Sequence, residues 1–169
     1  MGWYVLYCKA GQEDTLIRSC KQHLSGRALE DAFQFSYERM KKYLGAWHVD
    51  TYRMFPNYVF LQSSDPEQLS MELKQYREIV DVLEGNGLLL PVRPDEEAMI
   101  RLLCGEHHHM GLSRGIMRDG MIRVIEGPLA GRESLIRKID LHKRIVILNL
   151  RLNAEEKDIW AGIDILKKS

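Results

Sequence analysis

The sequence predicts an α+β protein in which an α/β sandwich is followed by a small closed β-barrel. Strand-like and helix-like segments alternate up to about residue 104, which is typical of a domain built from a sheet and a helix layer. After residue 115, short segments carry apolar residues at every second position, which is typical of small barrels without exposed sheet edges. We therefore predict a first domain over 1–104, a linker over 105–115 and a barrel domain over 116–169.

Apolar spacing and chain breakers predict the elements of the first domain. Trp3 to Lys9 is rich in aromatic and β-branched residues and is predicted to be a strand. Leu16, Cys20 and Leu24 recur at helical spacing and predict a helix over 13–24. The other predictions are strands near 33–37, 47–51, 58–62, 79–83 and 88–90, a charged turn at 38–42, and helices at 64–73 and 95–103.

The remainder of the chain divides into a linker and a set of short strands. Residues 105–115 combine glycines with the triplet His107–His109 and have no clear period, so this segment is predicted to be a linker. Strands are predicted around Ile122 and Val124, around 135–139 and from Ile145 to Leu150, with turns at 127–128 and 140–144.

Composition indicates a soluble, reduced, cytoplasmic protein. The chain is 45% hydrophobic and 28% charged, and no apolar run approaches the roughly 20 residues of a membrane span. The three cysteines are widely spaced and give neither a disulfide framework nor a zinc pattern. The net charge of zero hides a split, because 1–112 carries 12 basic and 16 acidic residues while 113–169 carries 12 and 8. The basic second part favours polyanionic partners.

The sequence offers no convincing catalytic, metal or cofactor site. Cys8 has no sequence-adjacent base, and the His107–His109 triplet lacks further ligands at metal spacing. The acidic run Asp95–Glu97 is expected at a helix amino terminus in any case. A glycine-rich phosphate loop is also missing. We therefore predict that the chain is not an enzyme and uses no catalytic residue, metal or cofactor.

Three segments, in this order and at this spacing, resemble the NusG family of transcription elongation factors. They are the opening strand and turn at 3–12 (WYVLYCKAGQ), the turn and strand at 55–60 (FPNYVF), and a KOW motif at 119–131 (DGMIRVIEGPLAG). The resemblance spans almost the whole chain. It implies an amino-terminal NusG-type sandwich with an antiparallel sheet and a carboxy-terminal SH3-like KOW barrel.

The resemblance also implies that the first domain docks on the clamp helices of RNA polymerase through an apolar patch. The positions that match the family are Tyr7, Phe55, Pro56, Tyr58 and Phe60. Aromatic side chains beside a proline-fixed turn are suitable rigid anchors for an interface. Because side chains along a strand alternate between the two sheet faces, we expect about half of this set to lie in the core.

In the KOW motif, Gly127 and Gly131 are predicted to bracket a tight turn, since glycine permits positive φ and close backbone approach. Pro128 cannot donate a ladder hydrogen bond and so belongs in that turn. In the family this barrel binds RNA or protein partners. The candidate RNA-binding residues here are Arg132, Lys138, His142, Lys143, Arg144 and Arg151. For any single one of them, a solvated basic face is the competing interpretation.

Within the family, the first two segments resemble the RfaH branch. Where that branch has a His-Thr-Thr stretch for the polymerase gate loop, this chain has Ser70-Met71-Glu72. The lead-in at 111–116 and the basic KOW segment resemble the LoaP branch, whose members antiterminate and are associated with a hairpin in the nascent leader RNA. The expected function is therefore antitermination by a monomer that binds RNA polymerase and nascent RNA, with non-template DNA as a further open partner. A general NusG-type elongation factor and a translation-associated KOW protein are the alternatives.

Overall fold

The computed structural model describes residues 2–168, which form two compact units. The first contains everything described up to Gln34 together with Phe55–Glu97, and the second contains Phe35–Met54 together with everything described from Ala98 on. These units divide the chain differently from the predicted 1–104 and 116–169, because a segment from the middle of the first predicted domain clusters with the carboxy-terminal part. Among residues 2–168, no helix is both long and apolar enough to cross a membrane.

The first unit is built on a four-stranded sheet of β1 (Gly2–Tyr7), β2 (Asp31–Phe33), β5 (Tyr58–Ser63) and β6 (Leu90–Pro91). The order of the strands in this sheet is β2-β5-β1-β6. The central strands β1 and β5 are antiparallel and pair along their full length, from Gly2 opposite Ser63 to Tyr7 opposite Tyr58. The predicted antiparallel sheet is therefore confirmed.

Helices α1 (Glu13–His23), α2 (Pro66–Leu73) and α3 (Arg77–Val80) belong to this unit, and α4 (Pro94–Cys104) begins in it. Leu6 and Val59 from the sheet share a buried cluster with Leu16 of α1 and Leu69 of α2. The side chains of Tyr7, Tyr58 and other aromatic residues alternate with these positions and so lie on the opposite sheet face. The strand period thus separates a helix-packed face from an aromatic face.

The second unit contains two sheets. Strands β3 (Ser36–Tyr43), β4 (Ala46–Arg53) and β7 (His109–Met110) form one in the order β4-β3-β7. The other has the order β10-β11-β12-β8-β9 and consists of β8 (Ser113–Arg118), β9 (Met121–Glu126), β10 (Ile136–Asp140), β11 (Ile145–Leu152) and β12 (Glu155–Lys168). End strands β9 and β10 both line a groove of about 340 Å³. This sheet is the predicted small β domain.

Two glycines permit backbone approaches that a side chain would block. Gly127 has φ +101°, and a Cβ there would lie 2.6 Å from Ser113 Cα, so the predicted glycine turn of the KOW motif is confirmed. Gly162 of β12 lies against β3, where a Cβ would be 2.1 Å from Glu38 O and 2.5 Å from Arg39 Cα. The β3–β4 hairpin therefore packs directly on the long strand β12.

Several predicted elements are wrong in detail. The predicted charged turn at 38–42 is part of β3, and the real turn is Leu44-Gly45, where both residues have positive φ as type I′ hairpin turns require. The predicted strand at 79–83 is not a strand: Ile79 and Val80 end helix α3, a turn follows at 81–82, and Leu83 makes an isolated bridge to Cys8. A short apolar run does not distinguish a strand from a buried helix. The predicted linker at 105–115 carries a 3-10 turn at Gly105–His107, strand β7 and the start of β8.

Candidate functional site

Tyr7 and Tyr58 form the accessible part of the aromatic face in the first unit. They are directly opposite each other on β1 and β5, and their ring centroids are 4.8 Å apart with the planes inclined by 31°. Both are half-buried, and the neighbouring Pro56 is exposed. Because each tyrosine ring rests on the other, the pair presents apolar area and two hydroxyls with few alternative rotamers.

The other two predicted anchors lie beneath this surface. Phe60 is 0% exposed and Phe55 is 5% exposed. The Phe55 ring stacks on Tyr58 with a centroid separation of 6.1 Å and lies 5.4 Å from the ring of Phe60. Of the predicted polymerase-binding set, Phe55 and Phe60 are thus core residues that support the tyrosines. Their burial follows from the sheet pairing, since Phe60 is opposite the buried Val5.

Asn57 holds the turn that places Pro56 and Tyr58. It has φ +73°, a region that asparagine tolerates better than most residues. Its backbone N–H donates to Glu13 Oε2 at 2.9 Å, its side-chain amide donates to the Cys8 carbonyl at 3.2 Å, and its own carbonyl accepts from the Cys8 N–H at 2.9 Å. Three hydrogen bonds therefore tie the turn to Cys8, directly after β1, and to α1, so the accessible residues are preorganised.

Glu72 on α2 has structural partners within the first unit. Its buried carboxylate accepts from Ser25 N at 2.8 Å, from Ser25 Oγ at 2.7 Å and from Gln68 Nε2 at 2.7 Å. The Ser25 backbone N–H is the main cause that lowers the pKa of Glu72, followed by the Ser25 hydroxyl and Gln68. This carboxylate fastens α2 to the segment after α1.

We expect Glu72 to make the free energy of unfolding depend on pH. Its folded pKa is lowered, so its stabilising contribution is present above the unfolded pKa and is lost as the pH falls through the folded pKa. Between about pH 7 and pH 3, the wild type should lose more free energy of unfolding than Glu72→Gln. Urea denaturation at several pH values measures this. Glu67→Gln, which changes an exposed acid of the same helix, should keep the wild-type dependence, and equal pH profiles for Glu72→Gln and wild type would refute the assignment.

The candidate RNA-binding residues of the β domain do not form one patch. His142 and Lys143 are exposed in the turn between β10 and β11, and Lys138 is exposed on β10 beside the groove. Arg151 is at the other end of β11, roughly 20 Å away at about 3.3 Å per residue. Arg132 is half-buried and donates to the Pro128 carbonyl at 2.8 Å, so it closes the KOW turn.

Arg144 is largely occupied inside the second unit. Its guanidinium is 3.4 Å from Asp164 Oδ1, 3.3 Å from the carbonyl of Ile165, and 5.0 Å from the ring centroid of Trp47. It also has φ +57°, which completes the turn into β11. Of the predicted set, Lys138, His142 and Lys143 are thus exposed around this turn, and Arg151 is exposed at the far end of β11.

A group of aromatic and basic residues that no sequence motif singles out adjoins this turn. The guanidinium of Arg39 is 5.5 Å from the ring centroid of Trp160 and 5.2 Å from that of Tyr52, and Lys143 Nζ is 5.7 Å from Trp160. The available signal is the interleaving of Arg39, Lys41 and Lys42 with aromatic residues. This segment shows no apolar alternation, so the sequence predicts a turn there and does not reveal the group of aromatic and basic residues.

The thiols and histidines have structural positions. Cys8, Cys20 and Cys104 are buried, and burial raises the pKa of Cys20 and Cys104 to about 12, so these two thiols are protonated. His109 lies between Ser36 Oγ at 2.7 Å and Glu38 Oε2 at 3.2 Å, which fixes β7 to β3. Within residues 2–168, no group of three or more His, Cys, Asp or Glu side chains is arranged to hold a metal ion.

Comparison with known proteins identifies the family of this fold. The family model described as "Transcription termination factor nusG" matches residues 1–101, well over half of the chain. The chain belongs to the NusG family. The match includes the tyrosine pair, the Pro56 turn and the β3–β4 hairpin. The chain is therefore a NusG-family transcription factor.

The fold also resembles a solved NusG structure along nearly its entire length. A structure titled "Domain interaction in Thermotoga maritima NusG" superposes with a TM-score of 0.51 and 15% sequence identity. The match covers 95% of this chain and 93% of the Thermotoga chain. Among curated proteins, none matches the chain significantly. At this identity the structural similarity supports the fold, whereas the family model supports membership of the NusG family.

Proposed function

We propose that this NusG-family chain is an elongation factor of the antitermination type that holds RNA polymerase and nascent RNA through different surfaces. The polymerase surface consists of Tyr7, Pro56 and Tyr58, and its partner is the pair of clamp helices. The RNA surface lies around Lys138 and Lys143, and its ligand is a structured element in the leader of the transcript. The functional type is that of the LoaP branch.

The observation that carries the polymerase assignment is the half-buried tyrosine pair beside an exposed proline. A few rigid aromatic residues account for most of the free energy of a typical interface. Tyr7 and Tyr58 are positioned across two hydrogen-bonded strands, and the Asn57 turn is held by three hydrogen bonds. A partner thus has little conformational entropy to remove when it binds.

Charge and exposure support the RNA assignment. Residues 113–169 carry 12 basic and 8 acidic residues, and Lys138, His142 and Lys143 are exposed on neighbouring parts of β10 and its turn. Phosphate contacts dominate nucleic-acid affinity and need only accessible cations at the correct separation. Residues 113–168 consist mainly of strands β8–β12 and the loops that join them, as expected of a KOW domain that binds through its loops.

The direct test is purification of the tagged full chain from cells, followed by detection of polymerase subunits and sequencing of bound RNA. We expect core RNA polymerase to copurify and the RNA reads to concentrate in the leaders of a few transcripts. A chain that copurifies with ribosomes and not with polymerase would support the translation-associated alternative. Polymerase with reads spread across all transcripts would support the alternative of a general NusG-type factor.

The RNA surface predicts a specific change in salt dependence. In Lys138→Glu with Lys143→Glu, we expect RNA affinity to fall about tenfold or more at low salt. The slope of log affinity against log salt should decrease by roughly one for each lost phosphate contact, because fewer counterions are released. Filter-binding titrations of leader RNA at several salt concentrations measure both quantities. Lys74→Glu, which reverses the charge of an exposed lysine of the first unit, is the control for a charge reversal away from this surface and should bind as wild type.

A further inference from the structure

Two of the three tryptophans are unusually accessible. Trp47 on β4 is 37% exposed and Trp160 on β12 is 38% exposed, whereas Trp3 is 2% exposed. Large aromatic rings stabilise a fold most when they are buried. The core of the second unit is formed by aliphatic residues such as Val146 and Leu148, and it leaves both indole rings partly uncovered. Packing alone therefore gives no reason for tryptophan at these two positions.

A cation stands over each of the exposed rings. The Arg144 guanidinium is 5.0 Å from the Trp47 centroid, the Arg39 guanidinium is 5.5 Å from Trp160, and Lys143 Nζ is 5.7 Å from Trp160. All three distances are within the roughly 6 Å over which a ring quadrupole attracts a cation. Ring surface and positive charge consequently occur side by side at both tryptophans.

The β3–β4 hairpin carries exposed aromatic and basic residues as far as its tip. Every residue from 41 to 51 is exposed, including Tyr43 at 60%. Over 36–53 the basic residues outnumber the acidic ones by four to two: Arg39, Lys41, Lys42 and Arg53 against Glu38 and Asp50. Glu38 is already engaged by His109 and by the N–H of Leu112. The hairpin is therefore a basic and aromatic surface, complementary to a polyanion with flat apolar groups.

We infer that Trp47 and Trp160, with Arg39 and Lys143, form a base-stacking surface for single-stranded RNA. The inference rests on the proposed RNA-binding function and extends it from the KOW loops to the β3–β4 hairpin. Bases stack on the open part of each indole ring while the adjacent cations contact phosphates, which is how sequence-tolerant single-strand binding works. A duplex lacks this contact because its bases already stack on one another.

The test compares how wild type and the tryptophan variants bind a mixed-sequence single-stranded RNA of about 12 nucleotides. This length is within the roughly 4–16 nucleotides that such surfaces span. The full-length chain is titrated with this RNA, with the DNA of the same sequence and with the RNA duplex. We expect Trp47→Ala and Trp160→Ala each to weaken single-strand binding roughly 5- to 100-fold, and the phenylalanine variants to retain most of it. Val49→Ala, an exposed apolar residue of the same strand, is the matched control and should bind as wild type.

Intrinsic fluorescence provides an independent readout on the unmodified chain. Because Trp3 is buried, accessible indole emission comes from Trp47 and Trp160. We expect single-stranded RNA to quench the wild-type emission, and each alanine variant to lose part of that quenching. A saturating complex that leaves the emission unchanged would overturn the inference even if an alanine variant failed to fold.

The remaining outcomes separate this inference from the function on which it rests. If wild type binds the RNA and the Lys138 and Lys143 double variant weakens it, but folded Trp47→Ala and Trp160→Ala bind normally, only the stacking surface is wrong. If wild type binds leader RNA but not the short single strand, only the stacking surface is wrong, and if it binds neither, both proposals fail. Equal or tighter binding of the DNA strand or of the duplex overturns the assignment to single-stranded RNA.

Discussion

Replacing Tyr7 and Tyr58 together by alanine is expected to lower the affinity for core RNA polymerase about a thousandfold. Truncation of an aromatic hot-spot residue typically costs about 2 kcal/mol or more, and two such losses approach 4 kcal/mol. The rings contact each other, so the two effects need not add, and the single variants should be measured as well. Titration of labelled protein with core polymerase gives all the dissociation constants.

The controls for this prediction come from the same chain. Tyr7→Phe and Tyr58→Phe keep both rings and should retain most of the affinity if apolar contact dominates. Tyr43→Ala removes a more exposed tyrosine, at the tip of the hairpin, and should bind polymerase as wild type. Phe55→Ala is a poor probe because its ring is buried and its loss would disturb the fold. Wild-type affinity in a folded Tyr7 and Tyr58 double variant would exclude this surface.

Substitution of Gly162 by alanine is expected to destabilise the second unit by about 3 kcal/mol, at the upper end of what overpacking usually costs. The added Cβ would be 2.1 Å from Glu38 O, and the atoms in its way belong to the backbone of β3. Either β12 or the β3–β4 hairpin must then shift. The change should appear as a lower denaturation midpoint and as altered emission from Trp160, whose ring lies 5.5 Å from the guanidinium of Arg39.

Gly26→Ala is the matched control for this prediction. A Cβ added to Gly26 would have no heavy atom within 4 Å, and the residue does not need positive φ, so alanine should change stability by less than about 0.5 kcal/mol. If Gly162→Ala is as stable as Gly26→Ala, the close packing of β12 on β3 is incorrect. The hairpin would then not be held next to the KOW domain by that contact.

The sequence predicts those parts of the fold in which one face of an element is buried. Helix α1 and strand β5 are predictable because their buried residues recur at the period of the element, as Leu16 and Cys20 do in α1 and Val59 and Leu61 do in β5. Strand β3 resembles a turn in the sequence because its outer half has solvent on both faces, so charged residues are tolerated at successive positions. The length of β12 is not predictable because its first residues, Glu155–Asp158, are mostly exposed and carry no apolar alternation.

The sequence predicts which residues form the candidate site, but it predicts only in part how exposed each of them is. The FPNYVF segment contains the half-buried tyrosine, yet the extent to which each ring is covered depends on tertiary packing. Phe60 is therefore buried and Tyr58 is half-buried, although both are on one face. Arg144 is a reasonable RNA candidate from its turn position. Its contacts with Asp164 and Trp47 join residues distant in sequence, which no local pattern reveals.

In the proposed function, polymerase and RNA are held by different surfaces of one chain. The most direct measurement titrates two folded double variants, Tyr7→Ala with Tyr58→Ala and Lys138→Glu with Lys143→Glu, against core RNA polymerase and against leader RNA. We predict that the tyrosine variant loses polymerase affinity and keeps RNA affinity, while the lysine variant does the reverse. Loss of both affinities in either folded variant would contradict the claim.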